Sequence, residues 1–150
     1  MELKDEIVIN ASQAVVYAAL NDPEILKECI PGCEELIKRS DTELEAKVVL
    51  KIGPVKAKFK GNVTLSLDAP PQRFSLIGQG NGGVAGFAKG GADVELEPHP
   101  EGTLLRYNAT AEISGKLAQL GNRLIEGTAK KLSAQFFQSF GGRFGDQERD

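Results

Sequence analysis

From Glu34 onward the hydrophobic pattern of this chain has one change of period, at Gly115, and that change limits the folds open to the chain. Across residues 34–114 apolar and polar residues alternate, most regularly from Val55 to Leu67. Such alternation predicts antiparallel strands with one face in water. After Gly115, apolar residues recur every three or four positions through Phe140, which predicts a long amphipathic helix. The apolar faces of sheet and helix must cover each other, so we expect the strands to curl around the helix.

Two short helices are predicted ahead of most of the sheet. A first strand over residues 3–9 ends at Asn10, which together with Gln13 resembles a capping box that starts the first helix. A second helix begins at Pro23 and ends at Pro31-Gly32. The fold class is therefore α+β, with one strand, two short helices, about six further antiparallel strands and a long C-terminal helix.

The chain is long enough for a single domain with one core, at 150 residues. We expect that domain to span residues 1–142, because Gly141-Gly142 ends the long helix. Residues 143–150 are expected to form a polar, frayed tail.

A glycine-rich stretch, "GQGNGGVAGFAKGG", begins at Gly78 and opens with the letters G-x-G-x-x-G. In nucleotide-binding proteins that motif follows a strand and starts a helix, whose N-terminus meets the phosphates. Here a period-two strand follows instead, so a phosphate site is not expected. Glycines in strands mark bends or leave room for a neighbour. The inward positions nearby are also small, and they either admit the helix closely or leave a hollow; these are Ala57, Gly61, Ala109 and Ala111.

The charge and the N-terminal composition argue against nucleic-acid partners and membrane spans. The formal net charge is −3, whereas nucleic-acid binding needs a basic surface. The first residues are charged and do not resemble a signal peptide, and no run of about 18 apolar residues occurs. We therefore expect a cytoplasmic protein that binds no nucleic acid.

The sequence contains few residues that could bind a metal ion or catalyse a reaction. Cys29 and Cys33 are separated by a helix-breaking Pro-Gly, and the one histidine, His99, lies in a predicted turn. No nucleophile–histidine–acid set can be assembled, and the acidic residues of the strands fall on the wet face. We expect no metal, no covalently bound cofactor and no catalytic residue.

Four segments together resemble the carbon monoxide dehydrogenase G-subunit family, within the START/Bet v 1-like SRPBCC superfamily. They are the Pro31-Gly32-Cys33 turn, "GPVKAKFKGNVTL" at 53–65, "GQGNGGVAGFAKGGADVEL" at 78–96 and "GKLAQLGNRLIEGTAKKLSAQFFQSF" at 115–140. The resemblance covers residues 1–142 and implies a helix-grip fold, in which about seven antiparallel strands wrap the C-terminal helix over an apolar cavity.

The same resemblance implies an accessory role. Members are thought to assist molybdenum hydroxylases of the carbon monoxide dehydrogenase type, to recruit them to the cytoplasmic membrane, and to carry a hydrophobic quinone-like or lipid-like ligand. Some members carry a hydrophobic C-terminal anchor, whereas this sequence stops at "GGRFGDQERD". Transient contact with the membrane surface is therefore expected in place of stable anchoring.

The candidate cavity residues are inward-facing in this scheme, and ordinary core packing is the alternative for each. Tyr107 and Thr128 would serve as polar anchors for a ligand, because neither side chain suits a dry core without a partner. The full candidate set is Phe59, Phe87, Tyr107, Ala109, Leu120, Leu124, Thr128 and Phe136.

Two other functions stay open at this point. A polyketide cyclase- or hydratase-like enzyme could use the same cavity, and a pure docking or assembly factor would need no ligand. For docking, the candidates are Lys56, Lys58 and Lys60, a basic row on one strand face that could meet anionic lipid or an acidic partner. The alternative for that row is a solvated face that discourages strand pairing.

Overall fold

A computed structural model of the chain describes residues 1–145 and shows seven strands and three α-helices. The strands are β1 (Glu2–Ile9), β2 (Cys33–Lys38), β3 (Glu43–Ile52), β4 (Val55–Ala69), β5 (Arg73–Asn81), β6 (Phe87–His99) and β7 (Gly102–Ser114). The helices are α1 (Gln13–Leu20), α2 (Pro23–Cys29) and α3 (Asn122–Gly145). Two short 3-10 segments, the 83–85 turn (Gly83–Ala85) and the 116–120 turn (Lys116–Leu120), complete the chain.

The strands form one antiparallel sheet in the order β1-β7-β6-β5-β4-β3-β2. The β3–β4 turn, the 83–85 turn and the 116–120 turn follow strands that run in the same direction, so they gather at one end of the sheet, which we call the loop end. Helix α1 follows β1 at the opposite end, where Ile9 pairs with Thr103. The predicted fold class is confirmed: two short helices follow the first strand, and a long helix ends the described chain.

Helix α1 begins later than the capping-box interpretation predicts. Its N-cap is Ser12, whose hydroxyl accepts a hydrogen bond from the Val15 backbone N–H at 3.4 Å. Asn10 instead donates its side-chain amide to the Phe144 carbonyl at 3.1 Å. The prediction for α2 is confirmed, since Pro23 is its first residue and the Asp22 carboxylate accepts from the Glu24 N–H at 2.9 Å.

Helix α3 departs from prediction at both ends. It does not start until Asn122, because Gly121 has φ +93°, a left-handed conformation that an α-helix cannot include. At the other end it continues through Gly141-Gly142 to Gly145, so the predicted end is wrong and residues 143–145 belong to the helix. The rest of the predicted tail, residues 146–150, lies outside the described residues.

Contacts beyond the glycine pair explain why the helix continues. Phe144 packs against the main hydrophobic cluster, and its ring centroid lies 5.5 Å from that of Phe140. Arg143 donates a hydrogen bond to the Glu28 carboxylate of α2 at 2.6 Å. Each mid-helix glycine costs about 1 kcal/mol relative to alanine, and these tertiary contacts offset that cost.

The hydrophobic interior is divided into two clusters of unequal size. The first lies at the end of the sheet near α1 and α2 and includes Ile9, Val16, Leu105 and Phe140. The second lies at the loop end and has four buried members: Val55, Ala57, Ala85 and Leu117. Phe140 is the one fully buried residue that α3 contributes among the described side chains, so the helix is anchored at its C-terminal end.

Truncation of Phe140 tests where α3 is anchored. Phe140→Ala is expected to lower the free energy of unfolding by about 3–5 kcal/mol, the usual cost of removing a buried aromatic ring. Leu124→Ala, near the other end of the same helix where the side chain is 37% exposed, should cost less than about 1 kcal/mol. Urea unfolding of both variants measures the difference, and equal losses would contradict the one-ended anchoring.

Candidate functional site

A band of residues with no side chain or a very small one crosses the inward face of the sheet. The strand register places Gly61 opposite Gly80, and Gly80 opposite Ala88. In the next inward row, Gly78 lies opposite Gly90. Extended along these rows and the one after, the band comprises Ala46, Gly61, Gly78, Gly80, Ala88, Gly90, Ala92, Ala109 and Ala111. None of these residues is buried, although all of them face the helix side.

Some of the glycines in this band are required by the close approach of neighbouring strands. A Cβ on Gly61 would lie 2.6 Å from the Gln79 carbonyl oxygen, and one on Gly90 would lie 2.3 Å from that of Thr110. Gly80 differs, since its nearest neighbour would be the Phe59 ring at 3.5 Å, an ordinary contact. The glycine-rich stretch therefore lets the sheet bend sharply, as expected, and no helix follows its G-x-G-x-x-G letters beyond the short 83–85 turn.

The facing part of α3 is also incompletely covered. Leu124 is exposed, and Ile125, Thr128, Ala129 and Leu132 are only half-buried. The α3 backbone comes closest to α2, β1 and the 116–120 turn, not to the central strands. Inward-facing apolar residues that packed tightly would be buried. Their partial exposure indicates looser packing between helix and sheet along this length than within the two clusters.

We call this region the central hollow. It lies between the two hydrophobic clusters, and its apolar residues belong to neither of them. They are Val48 and Leu50 on β3, Ala92 on β6, Ala109 and Ala111 on β7, and Leu124, Ile125, Ala129 and Leu132 on α3. Of the two possibilities left open by the small inward residues, their partial exposure favours a hollow over close contact with the helix, except at Ala57, which is buried in the second cluster.

Most of the predicted cavity residues lie in the hollow or at its two borders. Ala109, Leu124 and Thr128 are on its walls. Tyr107 and Phe136 border it from the first cluster, and the Tyr107 ring stacks on Phe137 with centroids 5.2 Å apart. Phe59 and Leu120 pack against the second cluster and border the hollow from the loop end.

Phe87 is placed wrongly by the sequence. Its register partner is Asn81, which in turn lies opposite Lys60, and directly opposed residues of an antiparallel sheet share a face. Lys60 points outward, so Phe87 lies on the convex face, 38% exposed. The glycine-rich turn that precedes Phe87 obscures the alternation from which its direction was inferred.

Several wall residues were missed from the candidate set although the sequence carried a signal for them. Val48 and Leu50 follow the same alternation as the rest of β3, and Ile125, Ala129 and Leu132 lie on the apolar stripe of α3. Periodicity marks such residues as inward-facing. It does not distinguish those that pack in a core from those that line a space, because both are apolar.

The docking candidates Lys56, Lys58 and Lys60 are exposed on the convex face of β4. Lys60 lies close enough to Glu45 to help lower the pKa of that carboxyl, which is set mainly by a hydrogen bond from Arg39. Neither Lys56 nor Lys58 forms an ion pair with a described residue. The three are available to a partner, and Lys60 is the one with an acidic neighbour.

The other titratable groups with perturbed pKa values lie away from the hollow. Burial raises the pKa of the Cys29 and Cys33 thiols, which border an open groove of about 620 Å³ beside the Pro31-Gly32 turn. Burial also raises the pKa of Tyr17, on α1.

His99 accepts a hydrogen bond at Nδ1 from the Glu101 N–H at 3.1 Å, within the β6–β7 turn. Among residues 1–145 no cluster of three or more acidic, histidine or cysteine side chains could hold a metal ion.

The family model for the G subunit of carbon monoxide dehydrogenase (CoxG) matches residues 6–143. The chain belongs to this family. No match was found among curated proteins. Within the described residues, no helix has the length and apolar character needed to cross a membrane.

Solved structures of other proteins share the fold of this chain. A conserved protein from Geobacillus kaustophilus is 30% identical, with a TM-score of 0.89 over 97% of this chain and 96% of that one. A START superfamily protein from Mycobacterium smegmatis has a TM-score of 0.72 at 14% identity, over 95% and 96% of the two chains. A protein from Thermus thermophilus has a TM-score of 0.72 at 18% identity, over 96% and 97%. The last two show a common fold and nothing more.

Two alanines of this family member provide a test of the hollow that needs no ligand. Ala57→Leu should destabilise the protein by about 1–3 kcal/mol, because Ala57 is enclosed in the second cluster and the added carbons would overpack it. Ala109→Leu should change the free energy of unfolding by less than about 0.5 kcal/mol, since Ala109 is only half-buried and an added side chain is expected to extend into the hollow. Chemical denaturation compares them directly, and a loss for Ala109→Leu as large as that for Ala57→Leu would mean that the hollow is filled.

Proposed function

We propose that this protein binds a hydrophobic ligand in the central hollow and serves, without catalysing a reaction itself, a molybdenum hydroxylase of the carbon monoxide dehydrogenase type at the cytoplasmic membrane face. The observation that carries the ligand role is the inward-facing apolar surface that neither hydrophobic cluster covers. Water in contact with such a surface is unfavourable, by about 25 cal/mol for each Å² of apolar area. A hydrophobic molecule in the hollow would remove that contact.

The walls of the hollow favour a quinone-like or lipid-like molecule. Its strand side is built from glycines, alanines, Val48 and Leu50, and its helix side from leucine, isoleucine and alanine side chains together with Thr128. The Tyr107 and Thr128 hydroxyls make no hydrogen bond within residues 1–144. Ligand pockets commonly combine apolar walls with a few such polar groups. These two hydroxyls can orient a carbonyl or hydroxyl group of the ligand.

Family membership supports the accessory role and its partner. The matching family model is described as a subunit of carbon monoxide dehydrogenase, and it extends over both clusters and the hollow. The partner class and the place of action at the membrane are proposed on that basis.

A cyclase- or hydratase-like enzyme is the weaker alternative. General acid–base catalysis needs a titratable side chain held against the substrate and tuned toward neutral pH. The described side chains with shifted pKa values are Tyr17, Cys29, Cys33, Arg39 and Glu45, and none of them is on the walls of the hollow. A pure docking factor would leave the uncovered apolar walls without a role.

Ligand binding is tested on purified protein with a short-chain quinone and a fatty acid as probes. Either probe should raise the melting temperature, and organic extraction of protein from its native host should release a hydrophobic molecule. Ala109→Trp should abolish both effects because the indole would fill the hollow. The matched control is Ala18→Trp, an exposed position on α1, which should bind as the unchanged protein does.

The proposal fails if the extract is empty and neither probe shifts the melting temperature of the unchanged protein. It also fails if Ala109→Trp folds and still binds as tightly as Ala18→Trp. The partner is tested by co-purification of a molybdenum hydroxylase with the tagged protein from that host.

A further inference from the structure

The charges of this protein are unevenly distributed along the chain. Three segments, 47–60, 78–91 and 113–125, contain eight of its 18 lysine and arginine residues and none of its 21 acidic residues. The remaining segments are therefore strongly acidic, although the whole protein carries a formal charge of only −3. The net charge is therefore close to neutral although positive and negative residues are concentrated in different segments of the chain.

The fold brings the three segments together at the loop end. They contain the β3–β4 turn, the 83–85 turn, and the 116–120 turn with the start of α3. The 83–85 turn contacts both β4 and the 116–120 turn, and the second cluster joins all three segments through Val55, Ala85 and Leu117. We call the cations nearest these turns the basic cap; they are Lys51, Lys56, Lys58, Lys116 and Arg123.

The cations of the basic cap are not neutralised within the protein. None of the five forms an ion pair with a residue in 1–145, whereas Arg39, Arg106 and Arg143 each pair with a glutamate. Lys51 and Lys56 lie directly opposite each other in the β3–β4 register, and like charges in that arrangement repel. Arg123 is in the first turn of α3, where the helix dipole disfavours a cation. The loop end thus bears two unfavourable charge placements that an anionic surface would relieve.

An exposed apolar residue projects from the same end. Val84, at the middle of the 83–85 turn, is 94% exposed, the largest exposure among the exposed large apolar side chains. Leu124 is also exposed there. A few apolar side chains among lysines and arginines are typical of proteins that lie on a lipid surface, where the apolar groups enter the headgroup region and the cations meet lipid phosphates.

We propose that the basic cap docks end-on onto an anionic lipid bilayer, with Val84 entering the headgroup region. An acidic protein could satisfy the cations, but Val84 would then need a matching pocket, whereas a bilayer accepts it without one. The setting at a membrane rests on the proposed function. The new element is the surface of the protein that contacts the bilayer. The basic cap shares Lys56 and Lys58 with the predicted docking row. Lys60 of that row is near Glu45 and is not part of the cap. The other members of the cap are Lys51, Lys116 and Arg123.

In this orientation the loop end of the hollow faces the bilayer, which gives a hydrophobic ligand a path between the two. At the loop end the hollow is separated from solvent by the second cluster, of four buried residues, two of which lie on 3-10 turns. Docked end-on, the protein would have only this cluster between its hollow and the bilayer. A hydrophobic ligand could then pass between the two with little exposure to water.

Vesicle co-sedimentation tests the docking surface. The unchanged full chain should bind vesicles of mixed phosphatidylglycerol and phosphatidylcholine, should bind phosphatidylcholine vesicles weakly, and should lose binding at high salt. Each lysine near an anionic surface contributes about fivefold in affinity. The triple variant Lys51→Gln, Lys56→Gln, Lys58→Gln should therefore bind on the order of 100-fold more weakly. Val84→Glu should weaken binding at least tenfold.

The controls change the same charge and the same type of side chain elsewhere. Lys27, Lys38 and Lys131 are exposed and form no ion pair within residues 1–145, so their triple change to glutamine alters net charge equally. Ile77→Glu alters an apolar residue that is 67% exposed on the convex face of the sheet. Both controls should retain most of the binding, and circular dichroism confirms that all four variants fold.

Equal binding to the two vesicle types, no vesicle binding, or equal losses in the cap and control variants would each overturn the inference. The ligand-binding proposal is assessed separately in solution, from the melting temperature without vesicles. A protein that binds quinone or fatty acid but not anionic vesicles contradicts the docking surface alone. A protein that binds anionic vesicles but neither quinone nor fatty acid contradicts the ligand role alone.

Discussion

The close approach of strands at the glycine positions is the constraint on which the rest of this structure depends. At Gly61 and Gly90 the neighbouring backbone lies where any side chain would be, so the sheet can take this curvature only if those positions lack a Cβ. The bend carries the sheet around α3. The same glycines leave no side chains to reach the helix. The bend of the sheet and the lack of side chains between sheet and helix therefore have the same cause, the glycines.

The helix is anchored mainly at one end, away from the empty part of the sheet. Its only fully buried described side chain is Phe140, whose ring is part of an aromatic series with Phe136 and Phe144. Contacts to β1 and α2 extend the helix past a glycine pair that would otherwise favour its end. The smaller second cluster contains no described residue of α3; it includes Leu117 of the 116–120 turn that precedes the helix, and Leu120 of that turn packs against it. This unequal packing of the two ends is the arrangement that the proposed exchange of a ligand through the loop end requires.

Sequence reasoning predicted most of the fold because it depends on periodicities that are local. The alternation around Val55–Leu67 and the helical repeat after Gly115 required no knowledge of contacts. Boundaries were less accurate, since they depend on conformations and contacts that the pattern does not contain. Gly121 has a left-handed φ that delays α3, and Phe144 packs on the core to prolong it. Phe87 was misplaced because a turn of irregular length shifted its face.

The sequence by itself determined the element order, the two apolar faces and the small residues on the inward face of the sheet. Whether the small residues would admit the helix or leave a space was decided only by the tertiary structure, because it depends on how far the bend carries the strands from α3. The tertiary structure also brings lysines that are far apart in the sequence together at the loop end. Strand direction alternates, so segments distant in sequence become neighbours at the loop end, and no local pattern reports which charges will meet.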